Sequence, residues 1–198
     1  MKRERDRGLL VVFEGIDGAG KSSLAKAVAS ELRTRGHKVV TSREPTDGVH
    51  GRRLRESAIH GRLPASEELD LFLKDRMEHV DQVILPALRS GAVVILDRYY
   101  FSTAAYQGAR GLDWRDVLEK NEAFAPEPDR LILLDLSIRE ALHRIGNRGL
   151  GADEFERAES LEKVREIFLS ADRPYRVVLD ALKTPETLCM ESLAWVFP

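Results

Sequence analysis

One cysteine, Cys189, stands in the chain's 198 residues, which excludes an intrachain disulfide. It lies in an apolar pattern near the carboxyl terminus and is expected simply to pack there. The five histidines (His37, His50, His60, His79 and His143) are scattered and show no metal-ligand spacing. Long apolar runs are missing too: none approaches the roughly 18 residues needed to span a bilayer. Neither sign of charge is in excess. With 31 Lys and Arg against 33 Asp and Glu, the net charge of −2 offers no field for wrapping nucleic acid. Residues 1–7 are basic, but only five strongly apolar residues follow before Glu14, too few for a signal peptide. They read as a flexible tail, and the compartment reads as cytoplasm. An apolar content of 43% and a charged content of 32% are those of a globular protein, expected here as one domain over 1–198.

What is present begins with Gly15-Ile16-Asp17-Gly18-Ala19-Gly20-Lys21-Ser22, followed by Ser23, which matches the phosphate-loop pattern G-x-x-x-x-G-K-[ST]. An apolar run of strand length, Leu9 to Phe13, precedes it, and a helix-favouring run from Leu24 to Ala29 follows. The glycines let the backbone turn so that successive N–H groups and the positive end of a helix face an anion. Lys21 can then reach the β- and γ-phosphates of a nucleotide, and the Ser22 hydroxyl can ligate Mg²⁺.

Strand and helix patterns alternate along the rest of the chain. His37 to Ser42, Ala92 to Leu96, Leu131 to Leu136 and Arg176 to Leu179 read as strands. A turn-rich stretch covers Arg43 to Gly51. A long helix runs from Pro64 and Ser66 to about Arg89, with Leu69, Leu73, Met77, Val80, Ile84 and Leu88 as its apolar face. Asp113, Ser137 and Thr184 are placed as helix N-caps. The strands lack polar alternation, so both faces are covered: an α/β fold with a parallel sheet of about five strands. Ligands of such sheets gather at the strand carboxyl ends, where Gly15, Arg43, Asp97 and Arg98 all fall.

Asp97-Arg98 ends a buried strand and opens the segment Tyr99-Tyr100-Phe101-Ser102-Thr103-Ala104-Ala105-Tyr106-Gln107-Gly108. A carboxylate can hold a metal or its waters while the planar guanidinium beside it grips a phosphate bidentately. The competing reading is an internal Asp97–Arg98 ion pair. With the phosphate loop and Arg43-Glu44-Pro45, these residues make the chain resemble the thymidylate kinase family from about Gly8 to its end. The resemblance implies a P-loop three-layer fold with strand order 2-3-1-4-5, usually a homodimer built through helices. It implies small-molecule substrates, with no nucleic acid and no membrane: the γ-phosphoryl of ATP passes to dTMP, with Mg²⁺, giving dTDP and ADP.

Carried over by position, residues 15–23 bind ATP, and Ser22 and Asp97 hold the metal. Asp17 falls where the family's acid contacts the deoxyribose 3′-hydroxyl. Phe72 would stack on thymine while Arg76, one turn along, donates to its O4; for Phe72 the alternative is plain core. Arg98 would hold the acceptor phosphate with Arg43 as helper. Thr103 and Gln107 would line the base, and Tyr106 would sit under the sugar. Part of the family carries an arginine inside the phosphate loop, where this chain has Gly18. Its transfer cations are therefore expected from a lid at about 144–155, with Lys21, Arg98, Arg144 and Arg148 as the catalytic set. Arg148 is preferred over Arg144, and solvated arginines on a helix end are the alternative.

Two departures bear on this. Thr46-Asp47-Gly48 replaces the family's frequent Gly-Gly-Thr, and Gly146 stands where a third lid arginine is common. Other nucleotide proteins fit less well. No Asn-Lys-x-Asp reads guanine, and no Asp-Glu pair ends a buried strand to activate water. A kinase acting on another deoxynucleotide or on a deoxynucleoside stays open, because Glu44 could deprotonate a 5′-hydroxyl.

Overall fold

The computed structural model describes residues 7–146 and 152–197. Five strands form one parallel sheet: β1 (Leu10–Glu14), β2 (Val39–Arg43), β3 (Val93–Asp97), β4 (Arg130–Asp135) and β5 (Arg176–Asp180). Their order is β2-β3-β1-β4-β5, as the resemblance implied. Strand β1 is central and wholly buried, and β3 and β4 nearly so, which explains their unbroken apolar composition. The edge strands β2 and β5 are only partly covered.

Nine helices are described: α1 (Lys21–Thr34), α2 (Val49–His60), α3 (Ala65–His79), α4 (Leu85–Arg89), α5 (Tyr100–Gly108), α6 (Trp114–Glu122), α7 (Ile138–Ile145), α8 (Ala152–Ser170) and α9 (Pro185–Val196). The caps fall where expected. Asp113 accepts from the Arg115 N–H, Ser137 from Glu140 and Thr184 from Thr187.

Two features differ from the expectation and a third lies outside it. The stretch read as turns up to Gly51 is already helical from Val49, and α2 continues to His60. Segment 100–108, to which the sequence reading gave no element, is a helix buried almost all round. The long helix from residue 65 to 89 is interrupted by a π-helical turn, Val80–Ile84, between α3 and α4. Such a turn shifts the 3.6-residue repeat, so one stripe cannot stay inward throughout. Met77 of the expected apolar face is accordingly exposed, while Asp75, Arg76 and His79 are buried.

Candidate active site

The loop between β1 and α1 delivers Lys21 at the first position of α1, whose leading N–H groups have no partner within the helix. Lys21 is buried and donates from Nζ to the Ile16 carbonyl at 2.8 Å. Burial and the neighbouring Arg98 lower its pKa to about 8, although Asp17, Glu14 and Asp97 pull the other way. A polyphosphate arriving at Lys21 favours the ammonium form, so nucleotide binding near pH 8 should take up protons. Titrating Mg·ATP at pH 8 into buffers of different ionisation enthalpy should read about half a proton per site. Heats that do not depend on the buffer would contradict this.

Gly18 explains a sequence choice. Its φ is +83°, and a Cβ there would lie 2.9 Å from the Ala141 carbonyl oxygen. An arginine at this position would be strained and would collide with α7, so cations for the transferring group must come from elsewhere.

Asp97 and Arg98 do not pair with each other. The Ser22 hydroxyl donates to Asp97 Oδ2, and Asp97 Oδ1 is buried with no protein partner. One hydroxyl and one carboxylate with an unmet acceptor fit a hard cation that keeps several waters and binds phosphate oxygens. Among the described residues no group of three or more His, Cys, Asp or Glu is placed to hold a metal ion.

Arg98 is the one positive-φ residue other than glycine among the described residues, at 71°. This unfavourable backbone is held by its N–H, which donates to the Phe13 carbonyl at 3.0 Å. The guanidinium donates from Nη1 to Ser102 Oγ at 2.9 Å and from Nη2 to Asp17 Oδ1 at 2.5 Å, and lies over the Tyr106 ring. The Tyr106 hydroxyl donates to Asp17 Oδ2 at 3.1 Å. Although burial opposes its charge, Tyr106, Asp17 and Glu14 hold the Arg98 pKa above its usual value.

Asp17, Phe72, Arg76, Arg98, Thr103 and Tyr106 line one cavity of about 260 Å³. Six of the eight expected acceptor-binding residues are thus brought together. Gln107 is not on its wall; fully buried, it donates to Glu68 Oε2 at 2.6 Å. Arg43 instead pairs with Asp47 at 3.1 Å and lines a neighbouring crevice with Ser22, Lys26 and Asp97. Arg76 sits in a buried polar cluster. Its Nε and Nη2 donate to Glu44 Oε2 at 2.8 and 2.5 Å, and Nη1 donates to Asn121 Oδ1. The other Glu44 oxygen lies 2.8 Å from His79 Nδ1. Both oxygens are engaged, which leaves Glu44 poorly disposed to act as a base.

On the other side of the phosphate loop, Arg144, Lys183, Pro185 and Leu188 border a second cavity of about 240 Å³ with Ala19 and Gly20. Arg144 donates to the Ala181 carbonyl at 2.9 Å and to that of Gly18 at 3.4 Å. A planar cation anchored this way is suited to stacking on a purine. Arg148 lies outside the described residues, as do residues 147–151 of the expected lid.

Ser102, which accepts from Arg98, escaped the sequence reading as a site residue, and so did Arg62 and Glu14. Arg62, between α2 and α3, lines the same cavity as Phe72 and Arg98 and forks onto Glu68. Glu14 ends β1 fully buried, its pKa raised to about 7 by desolvation against the pull of Ser102 and Arg98. No motif spacing marks Arg62. Glu14 stands inside an apolar strand, where a carboxylate is itself the signal.

A phosphate loop bordering one cavity, with Arg98 beyond it lining another, is an arrangement suited to a P-loop phosphotransferase. The thymidylate kinase family model matches residues 13–190. The chain is 49% identical to the thymidylate kinase of Xanthomonas euvesicatoria pv. vesicatoria (strain 85-10) over 187 residues, covering 94% of this chain and 82% of that protein. It is 48% identical to the thymidylate kinase of Xylella fastidiosa (strain M23) over 189 residues, covering 96% and 87%. The chain belongs to the thymidylate kinase family.

Proposed function

We propose that this protein transfers the γ-phosphoryl of ATP to the 5′-phosphate of dTMP, giving dTDP and ADP. One observation carries the reading: Asp17, inside the phosphate loop, directly holds Arg98 of the acceptor cavity, so the two anion sites share a wall. An acceptor phosphate on Arg98 would face a γ-phosphoryl on Lys21. An acceptor oxygen attacks phosphorus as the bond to the ADP oxygen breaks, and both groups are charged beforehand, so no proton need move. Positioning and fixed positive charge therefore carry the rate.

Lys21 and Arg98 neutralise charge on the transferring group and the acceptor, and Arg148 is the proposed lid cation. Arg144 walls the purine. Ser22 and Asp97 would hold Mg²⁺, which when bound supplies charge neutralisation across the ATP oxygens. Phe72 offers a face to thymine, Arg76 and Thr103 polar contacts, and Tyr106 a floor for the deoxyribose.

The same reading takes residues 1–198 as one kinase domain in the cytoplasm. It takes the protein as a homodimer, which exposed Ile59 of α2 and Met77 of α3 suit. Among the described residues no helix is long and apolar enough to cross a membrane. Kinases of a deoxynucleoside are disfavoured because Glu44 is committed to Arg76 and His79.

An ADP-release assay with Mg·ATP against dTMP, dUMP, dCMP, dGMP, AMP and thymidine tests the proposal. Strong preference for dTMP is expected. Turnover of thymidine without dTMP would overturn it.

A further inference from the structure

Glu14 touches neither cavity, yet the chain keeps a carboxylate where burial penalises its charge. Its oxygens account for that. Oε1 accepts from the N–H groups of Tyr99 at 2.8 Å and Ser102 at 3.0 Å, and Oε2 accepts from the Ser102 hydroxyl at 2.5 Å. Helix α5 has no side-chain cap of its own at Tyr99, so Glu14 reaches across from β1 to supply one. No ion pair to Glu14 within 4 Å is formed by the described residues; its nearest polar partner leads on to Arg98.

Ser102 has one hydroxyl proton, and that proton is spent on Glu14. Its oxygen lone pairs are therefore turned toward Arg98 Nη1, which donates to it at 2.9 Å. Asp17 and Tyr106 hold the guanidinium from the other side. We propose that Glu14 is a positioning residue for acceptor binding: by fixing the direction of the Ser102 hydroxyl it locks the Arg98 fork in the orientation that receives the acceptor phosphate. Glutamine would still satisfy the two backbone N–H groups through its carbonyl. It would, however, present an NH₂ to Ser102 and withdraw the acceptor that turns the hydroxyl proton away from Arg98.

The inference rests on the phosphotransfer reading, and the experiment separates the two. Steady-state kinetics with dTMP and ATP, together with thermal melts, are measured for the wild-type protein, Glu14→Gln, Ser102→Ala and the double variant. Failure of the wild-type protein to phosphorylate dTMP would count against the reading itself. With that activity in hand, each single variant should raise the dTMP KM about tenfold, the scale of one hydrogen bond to a charged group. The ATP KM should stay within about twofold, and the double variant should be no worse than the singles because both lie on one path.

A lowered Tm with an unchanged dTMP KM in Glu14→Gln would show a merely structural cap and overturn the proposal. Additive effects in the double variant would do the same. Should Glu14→Gln fail to fold, Ser102→Ala leaves the Glu14 backbone bonds intact and decides alone: an unchanged dTMP KM sinks the idea.

Discussion

Lys21→Met should lower kcat by at least about a hundredfold while leaving the protein no less stable. The activity loss corresponds to about 3 kcal/mol, the scale for removing one strong electrostatic group aimed at a transition state. The stability half of the expectation follows from burial. Lys21 is nearly enclosed, and its charged form is penalised enough to bring the pKa down to about 8. Methionine fills much the same volume without a charge to desolvate, at the loss of the bond to the Ile16 carbonyl and of the attraction of Asp17, Glu14 and Asp97. A stability at least equal to that of the wild-type protein is therefore the expected result. Kinetics and a thermal melt on the same preparation check both halves; near-normal turnover would refute the role given to Lys21.

Arg98→Lys should reduce kcat/KM for dTMP by about two to three powers of ten, although charge is conserved, since two charge-assisted hydrogen bonds are lost. The fork bridges Ser102 on one arm and Asp17 on the other while its plane covers Tyr106. An ammonium group, with its donors on a single nitrogen, cannot reproduce that planar fork or offer a phosphate two parallel N–H groups. The affinity for ADP, measured by calorimetry, should change little, because the cavity proposed for ATP is bounded by Ala19, Gly20 and Arg144 instead. Retention of dTMP turnover by the lysine variant would mean that charge alone, not geometry, is what Arg98 contributes.

Local signals explain what could be read from the chain beforehand. The phosphate loop, the apolar strands and the caps at Asp113, Ser137 and Thr184 each depend on neighbours within a few residues, so composition and spacing reveal them. The strand order is legible only through the family resemblance, since nothing local states which strands pair. Helix α2 was hidden because Leu54 is its only buried apolar side chain and Gly51 resembles a turn residue. Gly51 in fact permits close approach: a Cβ there would lie 2.0 Å from the Thr46 carbonyl oxygen. In α3 the buried face is partly polar, and Arg76 is at home there only because Glu44, Asn121 and Thr103 arrive from three other parts of the chain. The Glu14–Ser102 contact spans 88 positions and leaves no trace in any motif.

A crystal structure with dTMP and a non-hydrolysable ATP analogue bound together tests the central claim most directly. The account places the dTMP phosphate on Arg98, thymine against Phe72 beside Arg76, and the analogue's terminal phosphate at Lys21, the two phosphates facing each other. A dTMP phosphate lodged away from Arg98, or the two nucleotides in cavities that do not meet, would contradict it.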